Sequence, residues 1–140
     1  MLTASTPALD LLEVHIDSDP RGRVSPAFPI NRFTGAADTA VVYFEVQPGD
    51  YLPTHTDSEE EVLYIVAGEG EAHAGDERGH VRAGDLAVIP AMVPHGIANT
   101  GDEPLKVVGF FSGSEIVSEF EEQLQPIGAA KLTQGEPAPV

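Results

Sequence analysis

The sequence predicts an all-β barrel or sandwich, and three observations carry that prediction. Turn chemistry recurs, with Gly-Asp at positions 49–50, 75–76, 84–85 and 101–102. Between these turns lie short runs of β-branched, aromatic or alternating residues, the pattern of strands bounded by reversals. No stretch in the middle of the chain keeps a helical period over three turns.

Residues 1–38 read as an N-terminal strand and arm. Within them, 11–16 (LLEVHI) is an extra strand, and 17–38, rich in Pro, Gly and Arg, is a long ordered loop. Residues 39–112 form the barrel core. Its runs are 39–47 (TAVVYFEVQ), 61–67 (EVLYIVA), 70–74 (GEAHA), 79–82 (GHVR), 86–89 (LAVI) and 105–112 (LKVVGFFS). Residues 113–125 read as a short helix or strand, with Ile116, Val117, Phe120 and Leu124 spaced through a polar background. Residues 126–140 contain Gly, Ala and Pro with little to bury, so a flexible tail is expected. The uneven turn spacing excludes a repeat array, and no linker to a second domain is read.

At 140 residues the chain is one domain in size, and a chain of this length buries about two thirds of its unfolded surface. An internal pocket is therefore expected to fit. Seven Lys and Arg face 23 Asp and Glu, for a net charge of −16. Such a chain repels phosphate backbones and anionic lipid, so neither a nucleic acid nor a membrane surface is expected as a partner. No apolar run approaches the roughly 20 residues of a membrane helix. The first eleven residues lack a basic region and include Asp10, so no signal peptide is read and a cytoplasmic location is expected. The absence of cysteine excludes disulfide scaffolds, thiolate zinc sites, iron–sulfur clusters and thiol nucleophiles.

Two stretches carry chemistry. Residues 49–68 read GDYLPTHTDSEEEVLYIVAG, and 84–99 read GDLAVIPAMVPHGIAN. His55 and Asp57 are two apart, so on a strand both point to one face. Glu61 opens the next apolar run, and His95 comes from the second stretch. Two imidazoles and one or two carboxylates converging inside a barrel make a site for a first-row divalent metal. Two His plus one carboxylate is also the usual set for non-haem Fe(II).

At this point the chain resembles the cupins. Their first motif is Gly, five residues, His-x-His, three or four residues, Glu, six residues, Gly; here it is matched by Gly49, His55, Glu61 and Gly68, with Asp57 in place of the second His. Their second motif is Gly, five residues, Pro-x-Gly, two residues, His, three residues, Asn; it is matched by Gly84, Pro90, His95 and Asn99, with Met92 in place of the glycine. The motifs and the strands between them span 39–112, about half the chain. The resemblance implies a double-stranded β-helix, or jelly-roll barrel, of two antiparallel sheets. It implies His55, Glu61 and His95 as ligands of a divalent transition metal (Fe, Mn, Ni or Zn), with Asp57 as a fourth by substitution. Asp is shorter than His, so Asp57 is alternatively a group that holds a water or a substrate proton. Small cupins commonly pair, which implies a homodimer.

Other residues have blander readings beside the functional ones. Glu59 and Glu60 are taken as solvated, and His73 and His80 as surface residues. His15 is either an outward residue or part of a pocket wall. Gly49, Gly68 and Gly84 are turn glycines, Pro90 and Pro94 structural, and Asn99 a turn cap. Tyr43, Phe44, Tyr64, Phe110 and Phe111 belong to core or pocket wall. If Tyr43 and Glu45 share an inward face, they support proton transfer. Arg21, Arg23 and Arg32 either hold an anionic substrate over the mouth or offset the acidic surface, the latter being favoured.

A metal with open positions binds a chelating substrate, acts as a Lewis acid, or brings O2 to it. A carboxylate left free, Asp57 or Glu61, would be the general base. The leading expectation is a dioxygenase acting on a small chelating molecule. The alternatives are a metal-dependent isomerase, lyase or cyclase, and a non-catalytic small-molecule binder.

Overall fold

A computed structural model describes residues 1–137. Twelve strands run through them in chain order: β1 (Val14–Ile16), β2 (Arg23–Ile30), β3 (Ala40–Val46), β4 (Tyr51–Asp57), β5 (Glu61–Ala67), β6 (Glu69–Ala74), β7 (Glu77–Arg82), β8 (Leu86–Ile89), β9 (His95–Asn99), β10 (Leu105–Phe111), β11 (Val117–Gln125) and β12 (Ala129–Thr133). They form one curled antiparallel sheet in the order β7-β6-β9-β4-β11-β1-β2-β3-β10-β5-β8, with β12 beside β11. The curl folds the sheet onto itself as a double-stranded β-helix. Among the described residues no helix is long and apolar enough to cross a membrane.

Period-two burial decides which side chains fill the interior. On β3, Val42, Phe44 and Val46 point inward; on β5, Leu63 and Ile65 do so. They meet Ile97, Leu105, Val107 and Ile116 in one core. The two motif strands obey the same rule. His55 and Asp57 share the buried phase of β4, and Glu61 shares the buried phase of β5.

Two segments, the arm and the tail, differ from the sequence reading, and between them one open alternative is decided. The arm expected over 17–38 contains β2, a full strand between β1 and β3. Its prolines favoured a loop reading, but Pro26 sits in the ladder opposite Phe44, and Pro29 falls where the register shifts between Ala27 and Ile30. A bulge tolerates a residue that cannot donate to the ladder. Within 113–125, read as a short helix or strand, residues 117–125 are strand. Ile116, Phe120 and Leu124 are four apart, which fits a helix face; four is also a multiple of two, so it fits a strand face equally. The tail expected over 126–140 contains β12, which pairs with β11 and is followed by the buried Gln134; residues 138–140 lie outside the described residues.

The turn glycines behave as expected. Gly49, Gly68 and Gly84 all have left-handed φ, at 83°, 83° and 95°. At Gly68 a side chain would also meet the Pro104 carbonyl oxygen at 2.7 Å. Met92 is the one non-glycine residue with left-handed φ among the described residues, at 64°. It stands where the resemblance places a glycine, and the backbone has kept the glycine conformation. Its amide donates to the Asp57 carbonyl at 2.8 Å, tying the loop before β9 to the end of β4. Left-handed φ costs a non-glycine residue about 1–2 kcal/mol, partly offset by the flexibility glycine adds to the unfolded chain. The Met92 side chain is exposed and contributes little packing. Met92→Gly is therefore expected to stabilise the fold by roughly 0.5–1 kcal/mol, read as a higher urea midpoint at unchanged slope. A lower midpoint would contradict this account.

Candidate metal centre

Strand order places the site. β4 lies between β9 and β11, and the registers are direct: His55 faces His95 on one side, while Phe120 pairs with His55 and Ser118 with Asp57 on the other. β5, across the barrel, brings Glu61. All four predicted site residues are buried, with His55 at 7%, Asp57 at 2%, Glu61 at 3% and His95 at 3% exposure.

His55, Asp57 and His95 converge closely. Their ligand-type atoms lie within 4.8 Å of one another. Asp57 Oδ2 is 3.1 Å from His95 Nε2 and 3.5 Å from His55 Nε2. Glu61 stands beside this group, with Oε1 3.5 Å from His95 Nε2. The imidazoles are 4.3 Å apart, and Phe120 stacks on His55 at 4.5 Å.

The outer contacts fix how the group presents itself. His55 Nδ1 bonds the Pro53 carbonyl at 2.9 Å, and His95 Nδ1 bonds the Val93 carbonyl at 2.8 Å. A carbonyl only accepts, so each Nδ1 carries its proton and each Nε2 is turned to the centre. Metal-ligating histidines are oriented in this way. Asp57 Oδ1 accepts a 2.6 Å bond from the Ser118 hydroxyl, and Ser118 Oγ accepts from Gln134 Nε2 at 3.0 Å. That leaves Asp57 Oδ2 for the centre. Asp57 Oδ2 and His95 Nε2 are both buried without a well-aligned hydrogen bond. Unpartnered buried polar atoms are costly. Donors about 2.1 Å from a shared ion sit roughly 3.0–3.4 Å apart, close to the separations here. The residues present thus fit a divalent transition metal.

Without an ion, charge is shared by protons. Burial raises the Asp57 carboxyl, but the bonds from His55, His95 and Ser118 outweigh it and hold the group well below the ordinary carboxylate range. Burial pushes the Glu61 carboxyl up; the His95 contact opposes this and the Asp57 charge adds to it. Burial lowers His95, yet Asp57 and Glu61 raise it to about 10. A metal ion would displace that proton, since a ligating imidazole must be free of it at Nε2.

These residues end an internal cavity of about 70 Å³ whose other walls are apolar, among them Val24, Phe28, Phe44 and Leu52. The remaining sequence candidates lie elsewhere. Tyr43 and Glu45 bond each other at 2.6 Å on the face opposite Phe44, outside the cavity. Burial and then Glu45 push the Tyr43 hydroxyl above its usual range. Glu59 and Glu60 do not reach the cavity, and Val14 rather than His15 lines it. Arg21 pairs with Asp50, Arg23 with Glu13 and Arg32 with Glu115, and none enters the cavity. His80 is exposed beside Glu69, and half-buried His73 bonds Thr54. Asn99 staples a turn through Val46, Gly101 and Glu103. Sequence reading missed Ser118 and Gln134. It also missed Gly109, where a side chain would collide with the Glu61 carboxylate and Val42; a glycine inside a strand signals such close approach.

A barrel of this topology with a His, Asp and His cluster inside defines a class, and comparison with known proteins identifies it. The family model described as a cupin domain matches residues 42–111, half of the chain. The chain belongs to the cupin family. It is similar to a predicted oxalate decarboxylase of Thermotoga maritima (TM-score 0.70, 20% identity, covering 80% of this chain and 99% of that one). It is similar to an oxalate decarboxylase of Lactobacillus farciminis seen with formate (TM-score 0.68, 24% identity, 80% of this chain and 34% of that one). An uncharacterised protein of Methanocaldococcus jannaschii is 41% identical over 49 residues, which are 35% of this chain and 39% of that protein. The chain thus spans a little over a third of these last two proteins, and the structural likenesses show the fold.

Ser118→Ala removes the bond that turns Asp57 Oδ2 inward and leaves two buried polar groups unpaired. It is expected to cost about 1–3 kcal/mol of stability and to weaken divalent-metal binding about 10–100-fold, read by urea unfolding and by metal titration. Unchanged metal affinity would show that Ser118 does not orient the centre.

Proposed function

We propose that this cupin is a metal-dependent enzyme acting on a small chelating molecule, and that its reaction is a dioxygenation. One observation carries the reading: two imidazoles and one carboxylate turn their free donor atoms toward one another at the polar end of a largely apolar cavity. Two His and one carboxylate suit non-haem Fe(II) and leave positions open for other ligands. A bound Fe, Mn or Ni supplies the binding of a chelated substrate and its reaction with dioxygen, in which both oxygen atoms enter the substrate and no external reductant is needed.

The chain's own residues set the conditions. His55 and His95 are locked by their Nδ1 bonds and present Nε2. Asp57, held ionised and oriented by Ser118, is assigned as the third ligand. Glu61, matched to the family's carboxylate ligand, is assigned as a fourth ligand. Left free of the ion, its carboxylate would instead take the proton of a chelating enol or hydroxyketone, and burial favours its protonated form in the bare chain. The apolar walls offer water no hydrogen-bond partner beside the reacting centre.

That same Glu61 favours a second reading, an isomerase or lyase that needs only a Lewis acid and a base and runs on zinc. Metal analysis of the purified chain with oxygen-uptake assays on small chelating compounds separates the readings. Near-stoichiometric Fe, Mn or Ni is expected, lost in His95→Ala and kept in His73→Ala, with oxygen consumed. Zinc alone with anaerobic turnover would transfer the assignment to the second reading. A chain that takes up no metal would be left as a non-catalytic binder.

We further propose that two copies pair through the outer face of β5, β8 and β10. Tyr64, Leu86, Val88 and Phe110 are exposed there, and Val62 lies between Val88 and Phe110 in the ladder. β8 is a sheet edge. Two copies at −16 each repel, and this face, apolar apart from Lys106, lets them meet without opposing carboxylates. Light scattering is expected to give twice the chain mass for the wild type and a monomer for Leu86→Glu with Val88→Glu. A monomeric wild type would refute the pairing.

A further inference from the structure

The cavity says more about its occupant than the metal reading requires. Its polar lining consists of His55, Asp57, Glu61, His95, Ser118 and Gln134. Ser118 and Gln134 are already engaged with Asp57 and with each other. Among the described residues no Lys, Arg, Tyr or Thr lines it. An occupant therefore meets polar partners only at one end, and there the protein contributes two carboxylates. The second charge of a dianion would rest against Val24, Phe28, Phe44 and Leu52 with no cation facing it. Burying an unpaired charge costs several kcal/mol. The arginines that might have served, Arg21, Arg23 and Arg32, are paired at the surface.

Size and opening narrow the choice. A cavity of about 70 Å³ is several times the ~10–15 Å³ that admits one water, so the occupant is small. Leu12 and Ile127 line the cavity yet are 50% and 47% exposed. A residue that is both lining and half exposed stands at the mouth. Leu12 is anchored by its amide to the Pro26 carbonyl at 2.9 Å, and Ile127 rides the turn between β11 and β12, closed by Gly128 N to Leu124 O at 2.7 Å. Both rim residues, and the wall residues Val24, Phe28 and Leu132, lie outside the segment 42–111 that matches the family.

We propose that the cavity takes a small, apolar-bodied molecule carrying at most one charge and presenting one oxygen pair for chelation, and that the terminal segments select it through Leu12 and Ile127. The proposal rests on the metal-dependent reading above. It excludes small dicarboxylates as preferred occupants.

The test uses the full chain loaded with Mn2+, its metal content measured before and after titration. Acetylacetone and oxalate, both bidentate through oxygen, are titrated by calorimetry at neutral pH. Acetylacetone is expected to bind about tenfold or more tightly than oxalate. Leu12→Lys and Ile127→Lys, at exposed positions that leave the core untouched, are expected to narrow that ratio by about tenfold with metal content unchanged. Oxalate binding as tightly as acetylacetone to a chain that holds its manganese would overturn this inference alone. A chain that holds no manganese would overturn it together with the metal reading. Rim variants with an unchanged ratio would remove the terminal segments from the selection.

Discussion

The antiparallel register of β4 between β9 and β11 is the constraint on which the site depends. It sets His55 opposite His95 and Asp57 opposite Ser118, so three strands far apart in sequence deliver one cluster. A slip of one residue would turn His55 and Asp57 to the outer face together. Several features hold the register. Phe120 stacks on His55, the Met92 amide bonds the Asp57 carbonyl, and the Ser58 and Val117 backbones close the end of the ladder. The strained turn at Met92 belongs to this set. Its left-handed backbone brings β9 back onto β4, and the fold keeps that geometry although the side chain does not favour it.

Electrostatics follow from what the register encloses. Two carboxylates and two imidazoles share a space whose other walls, apart from Ser118 and Gln134, are apolar. The Nδ1 bonds direct both Nε2 atoms inward, and Ser118 directs Asp57 Oδ2 inward. The result is a set of buried donors with acceptor character and a deficit of positive charge. In the bare chain, protonation of His95 answers that deficit. A divalent cation answers it more fully, because one charge meets several donors at once. Asp57 in place of a third imidazole makes the cluster more anionic than the family pattern, which suits an occupant bringing little negative charge of its own.

Much of this was legible in the chain. Motif spacing named the cupin fold and the four buried residues, because period-two strands and glycine turns convert fixed spacing into fixed direction. Phe44 and Asn99 were readable for the same reason. The undecided and the misread segments have identifiable causes. Apolar residues at 116, 120 and 124 satisfy helix and strand periods alike, and only the partner β4 decides between them. Pro29 argues for a loop unless a bulge is available, and a bulge is a property of the pairing with β3. The tail looked empty of apolar content, yet Leu132 and Gln134 find partners on β11 and in the cavity. Ser118 was invisible because a serine in a polar strand carries no signal until its cross-strand neighbour is known to be Asp57.

The division of the chain carries the functional argument further. The family-matched half supplies the donor atoms, whereas much of the cavity wall and the rim residues come from the segments before and after it. Relatives that share the middle can therefore share the chemistry of the centre and still differ in what they admit. The two parts are not independent. β11 contributes Phe120 to the wall and Ser118 to Asp57, and Gln134, just past β12, completes that bond. The cavity wall and the centre thus share one strand: Phe120 lines the wall, and Ser118, two residues away on the same face, holds the Asp57 carboxylate across the ladder.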